Sequence, residues 1–422
     1  MPDLKLGTFS DGVNNVNSEH SLSETTARVL RNVDVLADGK VKRRRGYQRV
    51  TSTTGAHSGF SHNGYIYYAD GPSLFAWTPE FGAEAIADVT PDAPVVYEDI
   101  NGFLYVTDGR HRYIIDGVNA VKNWAVEAPS GMPNLTTNTF GTLPVGLYQV
   151  TMTFMRGQEE SGAGMAQSIA LNQQGSIEIS NIPQPFDPDV TRIRIYVSNP
   201  SGETMYASAT LPVGTMGVHI MAMPSGKKLE TQFYESLPAG QALCLHKGRL
   251  FCARDNVLYF SKPLQYGVYN PTEDYLQMAG HIDLLKAVQN GVYIAAGKRT
   301  YFLSGNSPEE FQLRIVHTRG AVPGTGLVIP ASTFDFEGLK TGDVAVWWAT
   351  NGTMVVGFPD GQISILREAE LALPEYSRGA ILARRQDGAK QLVSVLSEPK
   401  RDNALAVADT VSAIVYRNGI EL

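Results

Sequence analysis

The sequence predicts a nearly all-β chain: a β-propeller of five to seven blades carrying an inserted fibronectin- or immunoglobulin-like β-sandwich. Three observations lead there. Short apolar runs rich in Val, Ile, Tyr and Phe are punctuated by 41 Gly and 23 Pro, a strand signature. A turn-strand-turn-strand unit recurs along the chain, and a central stretch interrupts that recurrence with an alternation of its own.

The recurring unit is legible in "SHNGYIYYADGPSLFAW" (61–77), "DINGFLYVTDGRHRYII" (99–115), "LHKGRLFCARDNVLYF" (245–260), "VQNGVYIAAGKRTYFL" (288–303) and "ATNGTMVVGFPDGQISIL" (349–366). Each opens on an Asn-Gly or Lys-Gly pair, the residues best able to take positive φ at both centres of a type I′ hairpin turn. Each then runs through an apolar strand to a second Gly- or Asp-bearing turn and another strand. Recurrence at about 40 residues is the spacing of a propeller blade. Weaker units pivot on Asp387-Gly388 and Asp38-Gly39, and the last apolar run, "VSAIVYRNG" (411–419), is expected to pair with an N-terminal strand and close the ring.

Between the second and third units, Tyr148, Val150, Met152 and Phe154 alternate with polar residues, as do Ile193, Ile195 and Val197, which marks half-buried strands of a separate sandwich. The division read from sequence is therefore 1–142 for an N-terminal arm and the first blades, 143–211 for the sandwich, and 212–422 for the remaining blades and closing strand. Helical periodicity is confined to "SLSETTARVLRNV" (21–33) and "REAELAL" (367–373), each sized for two or three turns.

Composition limits function. With 35 Lys and Arg against 42 Asp and Glu, the net charge is -7, so this is no dedicated nucleic-acid binder and any basic surface is local. No run is long and apolar enough for a membrane helix, and the opening residues lack a secretory leader pattern. Only Cys244 and Cys252 are present, both on apolar runs, so buried thiols are expected rather than a disulfide framework.

A search for chemistry finds no catalytic, cofactor or metal set. The eight histidines show no zinc-ligand spacing, "GAGMAQ" (162–167) lacks the third glycine of a dinucleotide site, and "AAGKRT" (295–300) has Arg299 where a P-loop needs Ser or Thr. Asp70, Asp108 and Asp360 each precede Gly and read as turn residues rather than a glycosidase pair. Trp347 and Trp348 alternate faces of one strand, one expected in the core and the other outside it or between blades.

The exception to the acidic balance is "KVKRRRGYQRV" (40–50), six basic side chains in eleven positions. Strand alternation sends Lys40, Lys42 and Arg44 to one face and Arg43 and Arg45 to the other. Lys42, Arg43, Arg44 and Arg45 are thus candidates for a subunit interface or for the path of DNA; a charged edge strand protected against aggregation is the bland reading.

The same region carries a family resemblance. Phe9-Ser10-Asp11-Gly12-Val13-Asn14-Asn15, then Arg31-Asn32-Val33-Asp34, then Gly39-Lys40-Val41-Lys42-Arg43-Arg44-Arg45-Gly46-Tyr47 resembles the opening of tail hub, or nozzle, proteins of short-tailed bacteriophages and prophages, a group that includes packaged-DNA stabilisation proteins. About fifty residues carry the motif. The resemblance implies a virion structural protein without catalysis or cofactor. It would be made in the bacterial cytoplasm and assembled as a homohexameric ring of propellers below the portal and head-to-tail adaptor. It also implies contacts with the adaptor and with fibre, spike or needle proteins, and transient contact with double-stranded genomic DNA in the exit channel during retention and ejection. The alternative from another class is a tail propeller that binds or cleaves a receptor glycan.

Overall fold

Asn-Gly and Lys-Gly pairs set the first hairpins. The computed structural model describes the protein apart from residues 1–7, 10, 11, 31, 37, 45, 47–51, 54, 117, 119, 334–340, 367–370, 372, 387, 388, 398–410 and 418–422. In it Asn63-Gly64, Asn101-Gly102 and Lys247-Gly248 take φ of 47° and 84°, 55° and 86°, and 47° and 71°. Positive φ at both centres is the type I′ geometry, whose twist matches its flanking strands.

Each of these pairs joins the first two strands of a four-stranded antiparallel meander. Five such sheets follow in order: blade 1 (57–88), blade 2 (96–122), blade 3 (242–277), blade 4 (282–317) and blade 5 (327–366). Blade 6 (378–417) has three strands. The first strands pack side by side in sequence, His57–His62, Val96–Ile100, Ala242–His246, Ile282–Val288, Leu327–Pro330 and Arg378–Gln386. First strands gathered together, with each sheet fanning away from them, make a β-propeller.

The cores lie in the seams between blades, because alternate residues of each strand face opposite neighbours. Tyr67, Leu74, Leu104 and Ile115 fill the seam of blades 1 and 2; Ile100, Leu243 and Leu250 that of 2 and 3; Phe251, Phe260, Leu285 and Val292 that of 3 and 4. Trp347 enters the seam of blades 4 and 5 and Trp348 that of 5 and 6, both fully buried. Both tryptophans are therefore interblade residues, and Trp348 Nε1 donates to Ser394 Oγ of blade 6 at 2.9 Å. Among the described residues no apolar cluster joins blade 6 to blade 1.

Several expectations are corrected. No α-helix occurs among the described residues. In 21–33 the Ser23 hydroxyl bonds those of Thr25 and Thr26 at 2.8 and 2.7 Å, and Thr26–Ala27 pairs in parallel with Gly12–Val13; hydroxyls and β-branching draw such a stretch away from helix. Most of 367–373 lies outside the described residues. Among the described residues Val411–Arg417 pairs with Ala389–Ser397, as the outer strand of blade 6, and not with an N-terminal strand. Asn351-Gly352 joins the second and third strands of blade 5, one hairpin later than the repeat places it. At the fourth unit Gln289-Asn290 forms the turn without positive φ, and Gly291 lies in the strand. There a Cβ would stand 2.4 Å from Leu303 O and 2.5 Å from the Phe302 ring.

The insertion is a sandwich of a three-stranded sheet (Asn134–Leu143, Gly175–Ser180, Gly217–Ile220) and a five-stranded one containing Gly146–Arg156 and Arg192–Ser198. Tyr148, Val150, Met152, Ile193 and Ile195 from one sheet meet Leu143, Ile177, Ile179 and Ile220 from the other. Its sheets thus run past the bounds 143–211 at both ends. The first strand is rich in Thr and Asn and sends few side chains inward, which hides it from an apolar pattern. No helix of the described residues is long and apolar enough to cross a membrane.

Two glycines separate conformation from space. Gly64 has positive φ and open surroundings, whereas Gly291 is unstrained and crowded. Gly64→Ala is expected to cost about 1 kcal/mol, and Gly291→Ala about 2 to 3 kcal/mol through overpacking, read from urea midpoints. A larger loss at Gly64 contradicts this ordering.

Candidate functional site

The basic stretch folds as a two-stranded ribbon, Val33–Val35 against Val41–Arg43, with Asp34 opposite Lys42. Alternation puts Asp34 and Arg44 on one face. Arg44 Nε donates to Asp34 Oδ1 at 3.1 Å, and Arg44 Nη2 to the Val33 carbonyl at 3.3 Å. From the far end of the chain, Arg384 on the first strand of blade 6 donates Nη2 to the same Asp34 oxygen at 3.1 Å, while its Nε is held by Gln391 Oε1 at 2.7 Å. The side chains of Asp34, Arg44 and Arg384 are only 11%, 15% and 26% exposed. Two guanidiniums on one half-buried carboxylate therefore clasp the N-terminal ribbon to the last blade.

The four candidate residues separate accordingly. Arg44 is engaged within the chain, by Asp34 and the Val33 carbonyl. Lys42 and Arg43 are exposed on the ribbon, and Arg45 lies outside the described residues. Sequence reasoning missed Arg384 altogether: nothing local distinguishes it, since its partner is 350 positions away. Asp34 was visible only as a motif residue.

Other titratable groups are tied down by their surroundings. Glu98, midway along the first strand of blade 2, accepts the Leu245 N–H at 2.8 Å. Burial raises its carboxyl above the usual range, with Lys286 and the Leu245 N–H pulling the other way. Asp108 is buried in a turn, and burial alone would raise it. The side chain and backbone N–H of His111 and the N–H groups of Thr90 and Arg110 reverse that and hold it well below the carboxylate range. Cys244 and Cys252 are free, buried thiols pushed up by burial, Cys252 to about 12, and so are poor nucleophiles. Among the described residues no group of three or more His, Cys, Asp or Glu is arranged to hold a metal ion.

The sandwich is fixed at its root. Arg156 donates to Glu159 Oε2 at 2.7 Å, to Asp187 Oδ2 at 3.3 Å and to the Asn123 carbonyl of the incoming connection at 2.9 Å. Beside it, Glu160 accepts from Tyr196 Oη at 2.6 Å, Thr153 Oγ1 at 2.7 Å and Arg194 Nη1 at 3.0 Å. The opposite tip exposes Val145, Leu147, Met221 and Met223.

No family model and no curated protein matches the chain. Among solved structures it is similar to the Dos1 propeller at 10% identity and TM-score 0.34, over 86% of this chain and 78% of that one. It is also similar to BBS1N in its complex with ARL6DN at 9% and 0.32, over 82% and 89%. A third is the α-L-arabinofuranosidase Arb93A from Fusarium graminearum at 12% and 0.29, over 85% and 91%. Scores this low leave the fold to rest on the chain's own sheets.

Asp34→Ala strands two guanidiniums where the ribbon meets blade 6 and is expected to lower stability by about 2 kcal/mol, with amide exchange in Arg378–Gln386 accelerating more than in blade 3. Uniform acceleration would mean that Asp34 does not hold the ribbon to that blade. A second expectation concerns pH. His246 is buried, its Nε2 has no partner, and burial, aided by Lys247, lowers its pKa from 6.5 to about 4 against a backbone bond to Val288. Between those values the unfolded chain binds the proton and the folded chain refuses it, so stability falls as pH drops through that window. His246→Gln should flatten this part of the stability-pH curve by up to one proton; an unchanged slope would show a solvated ring.

Proposed function

We propose that this chain is a structural subunit of a bacteriophage tail, a hub or nozzle ring below portal and adaptor that encloses the DNA exit channel and helps retain and release the genome. The observation that carries the reading is the role of the motif residues. Asn32 to Asp34 and Gly39 to Arg44, part of the stretch from Phe9 to Tyr47 on which the resemblance rests, form the ribbon whose Asp34 is shared by Arg44 and by Arg384 of blade 6. A motif tied to the last blade suits a subunit whose task is to be a rigid wall. The firmly rooted sandwich with its exposed apolar tip offers such a subunit a second surface for tail neighbours, and the net charge of -7 suits a channel that DNA must leave without being gripped.

Reconstruction of the virion encoded with this chain is expected to show a homohexameric ring of it directly below the adaptor. A monomeric or trimeric fibre tip, or a virion without the chain, overturns the proposal. Virions carrying Asp34→Ala should be recovered in lower yield or leak DNA, measured as the fraction of genome accessible to nuclease.

A further inference from the structure

The ribbon leaves one edge open. Leu36 N bonds Lys40 O and Arg44 N bonds Asn32 O, with Asp34 and Lys42 in register between them. That alternation turns the N–H and C=O groups of Val41 and Arg43 away from the hairpin. Val41, Lys42 and Arg43 are all exposed, and among the described residues Arg43 has no ion-pair partner. Among the described residues no third strand pairs with the ribbon. An exposed strand edge is a template for another chain unless something covers it.

The complementary edge is on blade 1. Its outer strand, Gly82–Asp88, ends its sheet and exposes Glu84 and Asp88, with Glu80 and Asp92 exposed just beyond either end. The other outer strands differ: Ala120–Lys122 carries a lysine, Gln312–His317 an arginine, and Tyr275–Gln277 and Ile363–Leu366 no charge. Among the described outer edges of blades 1 to 5, only blade 1 is acidic. Within one chain the ribbon is held at blade 6 and does not pair with this strand.

We propose that strand Val41–Arg43 of one copy docks edge to edge on strand Gly82–Asp88 of blade 1 in a second copy, with Arg43 against Glu84 and Asp88. The contact joins two unlike surfaces, so it is heterologous and propagates head to tail, closing as a ring when the rotation permits. It deepens the ring-subunit reading and rests on it for the premise that copies stand side by side. Backbone pairing supplies attachment, and opposite charges set register and exclude ribbon-to-ribbon pairing.

Sedimentation of the purified full chain at low and high salt tests this with two variants, Arg43→Glu, and Glu84→Lys with Asp88→Lys. Each variant alone is expected to self-associate about tenfold more weakly than the natural chain, and an equimolar mixture should regain association, because each reversed surface then meets an opposite one. Misfolding cannot produce that recovery. Natural-strength association by both variants overturns this interface while leaving the ring reading standing. A natural chain that stays monomeric at every concentration overturns the contact, and the position in the tail is then decided separately by the virion reconstruction.

Discussion

One carboxylate, Asp34 of the N-terminal ribbon, lies between guanidiniums of the ribbon and of blade 6, and how the two distant parts of the chain stand together depends on it. The five junctions between blades adjacent in sequence are filled instead with apolar side chains. The contrast has a thermodynamic meaning. Apolar seams tolerate small shifts because their attraction is non-directional, whereas a clasp built on one oxygen atom works at one register only. Its long sequence separation also places it among the contacts made late in folding, after the blades exist.

Legibility from sequence followed the range of the interaction. Type I′ turns are local, so Asn63-Gly64, Asn101-Gly102 and Lys247-Gly248 announced their hairpins and, through their spacing, the propeller. The same dipeptide misled where glycine serves packing: Gly291 makes room for Phe302 and Leu303, and Gly352, with positive φ, sits over Leu373. The sandwich showed itself where strands bury alternate apolar residues and stayed hidden at Asn134–Leu143, which does not. In the candidate site, strand alternation sets Arg44 on the face of Asp34, two positions from Lys42. What period-2 reasoning cannot supply is the identity of what each face meets, and Arg384 had no local signal at all.

That division shapes how the run works. Six cations in eleven residues look like one electrostatic object, yet Arg44 is spent inside the chain and Arg43 faces outward. Coulomb attraction alone would not require an arginine at position 44, but the geometry does: its fork reaches Asp34 through Nε and the Val33 carbonyl through a second nitrogen, which the compact ammonium of lysine cannot reproduce. The inner position is specified by hydrogen-bond geometry and the outer ones mainly by sign.

The clasp also leaves a charge behind. One carboxylate shared by two guanidiniums is outnumbered, so the ribbon stays electropositive even where its side chains are paired, while the protein as a whole is acidic. A half-buried excess of this kind is screened less by salt than a surface lysine, and it persists however Lys42 and Arg43 move. Asp34 thus gathers guanidiniums from two distant parts of the chain, while Arg43, exposed at the neighbouring position, is left to act through its sign.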